Sequence, residues 1–338
     1  TINHYCYLHC RVKPPFFTDH QTRIVWNKIE EDLDHHDIQH PSVRAVLEYL
    51  DIREGIEVHH IADLPARSGL GSSSAFTVGM LNAMYALRGA ISSKRELACE
   101  AIHIERVMLK EHVGVQDQIE TAYGGLNKIV VQPDGDFAVN PLVLPAGRAK
   151  QLESHLLLFF TGISRTASDI AAAKIKSIPN KQKELTQMRA MVDQAINVLA
   201  SRNEDITDFG KLLHETWMCK RSIAASISTG FVDDIYERAR KAGATGGKLL
   251  GAGGGGFMLF FVTAENRVRV IEALKDLLLI PFQFEHSGSQ IIFYDNHNYN
   301  AMELARRDYR HLQSGSADDA NASPPIKERL NTVQRVDS

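Results

Sequence analysis

The sequence predicts an α+β protein of two domains followed by a polar tail. Three observations carry that prediction. At 338 residues the chain exceeds one ordinary core and suits two. Along it, short apolar runs of strand character alternate with segments whose apolar residues recur at helical spacing. From about residue 312 the composition turns to Ser, Gly, Asp, Asn, Ala and Pro, which bury too little apolar area to offset their ordering entropy. The domains are placed at 1–150 and 151–300, with the boundary near 141–155 and a mobile tail at 301–338.

Taken in order, Ile2 to Val12 alternates as a strand, with Cys6, Leu8, Cys10 and Val12 on one side and Tyr5, Tyr7, His9 and Arg11 on the other. His4, Cys6, His9 and Cys10 do not form a zinc cluster on this reading, because an extended strand turns them to opposite faces. Residues 31–40 are polar and loop-like. Ser42 is a candidate cap for a helix with Val43, Val46, Leu47 and Leu50 inside. Ile56 to Ile61 reads as a strand in which His59 and His60 face apart. Ser92 or Ser93 caps a helix carrying Leu97, Ala101, Ile104 and Met108. Lys128 to Val131 and Phe137 to Val139 flank a turn, and Leu156 to Phe160 is a buried strand. Helices follow over 165–200 (Leu185, Met188, Val192, Ile196 and Leu199 on one face), over 205–228 and from Val232 to near Gly243. Phe257 to Val262 is a buried strand. A helix over 269–278 and a last strand, Gln290 to Tyr294, close the second domain.

Composition excludes some functions. Hydrophobic residues make up 44%, so a sizeable core can form. The formal net charge of −3 offers no field for nucleic acid or an anionic membrane, and no basic, aromatic-laced stretch appears. No apolar run is long enough to span a bilayer. Four scattered cysteines point to a reducing compartment, with a cytoplasmic location expected. Nothing in the sequence specifies an oligomeric state.

Residues 65–86 carry the most information. Gly69 and Gly71 permit backbone dihedrals that other residues avoid. Ser72, Ser73 and Ser74 then place hydroxyls and free amides where a helix begins, and Phe76, Met80, Ala83, Met84 and Leu87 give that helix a buried face. Such a loop binds anions, because free N–H groups and the helix dipole both favour negative charge. A capped helix after a polar turn is the alternative. The lysine-bearing phosphate loop G-x-x-x-x-G-K-[ST] is absent: Gly247-Lys248 is followed by Leu249, with Ala242 in place of the first glycine.

From Pro65 to Ala75 the sequence resembles, without a gap, the P-x-x-x-G-L-G-S-S-[SA] motif of the GHMP kinase superfamily (galacto-, homoserine, mevalonate and phosphomevalonate kinases). Gly114-Val115-Gln116-Asp117-Gln118 and Gly251-Ala252-Gly253-Gly254-Gly255-Gly256 resemble further family stretches in the right order, so that the resemblance covers about residues 1–295. It implies a ribosomal-protein-like N-terminal domain, a ferredoxin-like C-terminal domain, and an ATP-dependent kinase requiring Mg2+. Gly69, Leu70, Gly71, Ser72, Ser73 and Ser74 would bind ATP. By resemblance to mevalonate kinase, Ser73 and Glu105 would hold the metal; a solvated helix position near Arg106 is the other reading of Glu105. Asp117 sits where the family places its catalytic aspartate, as base or as orienting group, with helix capping as the alternative. Gly251, Gly253 and Gly254 would help to shape the phosphate site. Arg165, within Ser164-Arg165-Thr166, either holds an anionic substrate group or belongs to a helix cap, and Lys248 either contacts phosphate or lies at the surface.

Within the family the chain resembles sugar kinases acting on D-glycero-D-manno-heptose 7-phosphate, partly through His40-Pro41-Ser42 and Gly162-Ile163-Ser164-Arg165-Thr166. That resemblance implies a sugar phosphate substrate, phosphorylated at the anomeric hydroxyl to the 1,7-bisphosphate. A fucokinase-like sugar kinase and a catalytically silent ligand-binding member are the rivals. The chain starts inside what resembles the family's second strand. The first strand and its sugar-binding loop are therefore expected to be missing, leaving a neighbouring strand with an open edge.

Overall fold

The alternation at the start of the chain builds the first sheet. β1 (Cys6–Val12) sends every second residue inward and exposes Tyr7, His9 and Arg11. It begins at Cys6 rather than Ile2, which makes only a lone bridge to Phe284. The computed structural model describes residues 1–13, 22–31, 34–66, 68–163 and 178–295, within which Thr1–Tyr294 pack as one unit. β2 (Arg23–Val25) and β3 (Ile29–Glu31) escaped the sequence reading because three residues are too few to show a period. α1 (Pro41–Tyr49) buries Val43, Val46 and Leu47, and Leu50 follows them inside. Its cap is His40, whose Nδ1 accepts from the Val43 amide, and not Ser42, which lies one residue inside the helix. With β4 (Ile56–Ala62) the sheet takes the order β1-β4-β2-β3, in which only β4 and β2 are parallel.

α2 (Ser72–Leu87) packs on β1, and α3 (Lys94–His103) packs on α2. α2 buries Phe76, Met80, Leu81 and Met84 in a core that also takes Leu97, Ala98 and Ala101 from α3. Ser93 caps α3 through a reciprocal pair with Glu96, satisfying two amide donors at once. Cys6 and Cys10 lie against the same core, and burial pushes both thiols up to about 12. α4 (Gln116–Tyr123) follows, then the hairpin of β5 (Asn127–Val131) and β6 (Phe137–Pro141).

The second sheet, with its own core, lies in the rest of the unit. α5 (Arg148–His155) leads into β7 (Leu156–Phe160), whose unbroken apolar run becomes a central strand. α6 (Gln182–Ala200) turns Leu185, Met188 and Leu199 inward and leaves Ile196 half-buried, as the sequence face predicts, but Val192 is exposed and the neighbouring Met191 is buried in its stead. The expected start of that helix lies outside the described residues. α7 (Thr207–Ile223) packs on β8 (Ala244–Leu249) and β9 (Phe257–Val262), α8 (Gly230–Lys241) packs on β8, and α9 (Arg267–Ala273) packs on α8 and precedes β10 (Leu278–Ile280). The sheet order is β10-β7-β9-β8, all antiparallel. Leu278, read as the last residue of a helix, instead opens β10, and Leu278–Ile280 pair with Leu158–Phe160.

The expected last strand at Gln290 to Tyr294 does not form. Among the described residues it finds no ladder partner, and Ile292 and Phe293 are each 80% exposed. The expected tail at 301–338 lies outside the described residues. Among those described, no helix is long and apolar enough to cross a membrane.

Candidate active site

Two glycine-rich stretches from distant parts of the chain meet backbone to backbone. A Cβ on Gly69 would stand 3.0 Å from the Leu250 carbonyl oxygen and 3.2 Å from Gly251 Cα. One on Gly251 would stand only 2.4 Å from Gly69 Cα. No side chain fits in either place, so glycine is required here by contact as well as by dihedral angle. The far part of the second loop is held by the Gly254 amide, which donates to the Ile227 carbonyl at 3.0 Å. Its exit is held by Thr161, whose amide donates to the Gly256 carbonyl at 2.8 Å.

Gly71 adopts the left-handed conformation (φ 70°, ψ 19°), and α2 starts at the next residue. No side chain caps α2, which leaves its first amides available for an anion. Asp117, in the first turn of α4, lies directly against this start. A Cβ on Gly71 would be 3.2 Å from Asp117 Cβ and 3.3 Å from its Cγ. Asp117 does not cap its helix: the residue before the helix is Val115, and no side chain bonds the first amides. Solvent reaches the Asp117 side chain, yet the surrounding protein strips enough water to push its carboxyl above the usual range. A carboxylate in an open-sided cleft behaves in this way.

Glu105 is not a solvated helix residue. The chain widens into a π-helical turn over Ile104–Met108, which turns Ile104 and Glu105 both inward. Glu105 is 1% exposed, and its Oε2 accepts from Ser74 Oγ at 3.0 Å and from Gln118 Nε2. Its Oε1 is buried without a hydrogen-bond partner. Burial pushes the carboxyl up, which Gln118, Ser74 and the Thr77 hydroxyl partly oppose. The hydroxyl that meets Glu105 is thus that of Ser74, whereas Ser73 is exposed. One carboxylate with an unused oxygen, beside a serine hydroxyl, is the donor set Mg2+ takes when phosphates complete its shell. Among the described residues no group of three or more His, Cys, Asp or Glu is arranged for a metal.

Gly69 to Ser74, Asp117, Glu105 and Gly251 are therefore brought together, with Gly253 and Gly254 in the adjoining turn. Lys248 is half-buried in β8. Arg165, with Ser164 and Thr166, lies outside the described residues. Two residues were missed by sequence reasoning. Gln118, wholly buried, orients Glu105, and its only signal was its place beside Asp117. Lys220 donates to the backbone at the second glycine loop, and nothing in its local sequence marks it.

Family models described as GHMP kinases N terminal domain and GHMP kinases C terminal match residues 39–125 and 196–278. The chain is 34% identical over 233 residues to the D-glycero-alpha-D-manno-heptose 7-phosphate kinase of Campylobacter jejuni, covering 69% of this chain and 68% of that protein. It is 32% identical over 234 residues to the L-fucokinase/L-fucose-1-P guanylyltransferase of Bacteroides fragilis, covering 65% of this chain and 23% of that larger protein. The fold matches a crystal structure described as a D-glycero-D-manno-heptose 1-phosphate kinase from Bacteriodes thetaiotaomicron, with a TM-score of 0.67 at 23% identity over 87% of this chain and 89% of that one. Motifs, fold and relatives agree: the chain belongs to the GHMP kinase family of ATP-dependent small-molecule kinases.

Proposed function

We propose that this protein is a sugar kinase that transfers the γ-phosphoryl group of ATP to the anomeric hydroxyl of D-glycero-D-manno-heptose 7-phosphate, giving the 1,7-bisphosphate. The observation that carries the reading is the contact of Asp117 with Gly71, since it puts a carboxylate beside the helix start that suits phosphate. Phosphoryl transfer asks little covalent chemistry of a protein and much positioning. In this reading the amides from Gly69 to Ser74 cradle the phosphates, with Gly251, Gly253 and Gly254 closing the loop from the other side. Asp117 accepts or orients the proton of the attacking hydroxyl, and its raised carboxyl suits it to hold that proton briefly. Glu105 and the hydroxyl of Ser73 would hold Mg2+, which neutralises charge on the phosphates when bound. Arg165 is assigned to the anionic end of the sugar, and Lys248 to phosphate.

The heptose assignment is supported by the 34% identity to the Campylobacter enzyme, and the fucokinase reading by the 32% identity to the Bacteroides one. A coupled ADP-release assay with heptose 7-phosphate, L-fucose and mevalonate separates them. Faster turnover with a non-phosphorylated sugar rejects the heptose phosphate. Tight ATP binding by calorimetry without ADP release from any acceptor indicates a silent member of the fold.

A further inference from the structure

The ammonium of Lys220, on α7, is buried beneath the second glycine loop. The residue is 8% exposed, and Nζ donates to the carbonyls of Leu249 at 3.0 Å and Gly251 at 2.7 Å. These are the last carbonyl of β8 and the first of the glycine loop. We propose that Lys220 is a positioning residue, which pins the loop Gly251–Gly256 against Gly69 and so holds the phosphate-binding loop ready for ATP. The proposal rests on the kinase reading above.

Lysine is rarely buried this far unless something compensates its charge, because removing an ammonium from water is costly. Here part of the compensation comes from two backbone carbonyls, and charged donors make bonds roughly twice as strong as neutral ones. Packing alone would be served as well by a methionine. The loop has reason to need such a post. Five of its six residues are glycine, so it has almost no side chains of its own to pack and much conformational freedom to lose.

The helix that carries Lys220 is itself fixed. Gly210 of α7 lies flush on β8, where a Cβ on Gly246 would be 2.0 Å from the Gly210 carbonyl oxygen. Trp217 is wholly buried, and Arg221 pairs with Asp233 of α8 at 2.7 Å. The turn Ala225–Ile227, just beyond α7, takes the bond from the Gly254 amide. Two of the loop's grips, at its entry and at its middle, therefore come from α7 and its continuation. Beyond the entry, Gly251 rests on Gly69, and Gly71 rests on Asp117. Displacement at Lys220 therefore reaches the phosphate loop through one intervening backbone contact.

The test compares Lys220→Met and Lys220→Arg with the parent protein, by steady-state kinetics, ATP-binding calorimetry and amide hydrogen exchange. Lys220→Met is expected to raise KM for ATP about tenfold or more, with a smaller change in kcat. Exchange at Gly253 to Gly256 should quicken by at least tenfold, while β9 stays protected. Lys220→Arg should recover most of both losses. A methionine variant that melts earlier but keeps the parent's KM and loop exchange overturns the proposal, since that is what a merely structural lysine would give. If the methionine variant does not fold, Lys220→Gln decides: it keeps a neutral donor but loses the charge, so it should raise KM and quicken loop exchange, and parental values of both overturn the proposal. Failure of the kinase reading is seen separately, as a parent protein that binds no ATP, and loop exchange then still judges the grip of Lys220.

Discussion

Gly71→Ala puts the central contact to the test, and Gly89→Ala provides its control. Both glycines sit in the left-handed region, with φ of 70° and 67°. Placing a Cβ there costs roughly 1–2 kcal/mol for either residue. For a chain of this size that lowers the melting temperature by roughly 1–3 °C. The two differ in what the new methyl group meets. At Gly89 nothing lies within 4 Å, whereas at Gly71 the methyl stands 3.2 Å from Asp117 Cβ and 3.3 Å from Cγ. Asp117 must then yield by a few tenths of an ångström. Since a misplacement of about 1 Å costs a catalytic constellation about 10²-fold, this shift should lower kcat about five- to tenfold. Thermal melts and coupled ADP-release kinetics on both variants read the two effects apart, with any loss of ATP affinity appearing in KM. The expected result is equal destabilisation, normal kcat in Gly89→Ala and reduced kcat in Gly71→Ala. Equal kcat in both variants at equal stability refutes the claim that Asp117 works from its place beside Gly71.

Asp117→Asn should keep ATP affinity by calorimetry while turnover falls by about 10²–10⁴; a near-normal rate removes Asp117 from the mechanism. Ser73→Ala should leave the melting temperature unchanged and raise the Mg2+ concentration needed for half-maximal rate. Ser74→Ala, by stripping a bond from buried Glu105, should instead cost about 1–3 kcal/mol of stability. A Ser73→Ala variant with the parent's Mg2+ requirement reassigns the hydroxyl ligand. Glu100, 4% exposed, is pushed up to about 7 by burial, although Tyr85 Oη donates to it at 2.6 Å. The folded state therefore holds a proton that the unfolded state releases near pH 4.5, so stability falls as pH rises from there to about 7 and then levels. The drop amounts to about 3 kcal/mol at most. Glu100→Gln should flatten this slope in melts from pH 4.5 to 8, and an unchanged slope assigns it to another group.

Much of the fold was legible because it is written in local periodicity. β1 declared its two faces through strict alternation, and β7 and β9 announced themselves as continuous apolar runs. α2 was marked by Gly71 before it and by apolar residues at helical spacing within it. Each of these signals involves residues a few positions apart, where sterics and period act directly. The glycine-serine loop and Asp117 stood out as candidates for the same reason, since each is a short contiguous pattern.

Tertiary structure alone decided the rest. β2, β3 and β10 exist because neighbouring strands offer them hydrogen bonds, and Gln290 to Tyr294, with better strand composition, finds no such partner among the described residues. Glu105 became a buried ligand candidate only when a π-helical turn rotated it inward, toward Ser74 rather than Ser73. The need for glycine at both 69 and 251 is a matter of two backbones touching. Lys220 looked like any lysine on a helix until β8 ended above it. Chain neighbours set a residue's period and dihedral preferences, and the sequence expresses those directly. Which distant backbone comes within 3 Å is settled by the packing of whole elements, to which no single stretch of sequence has access.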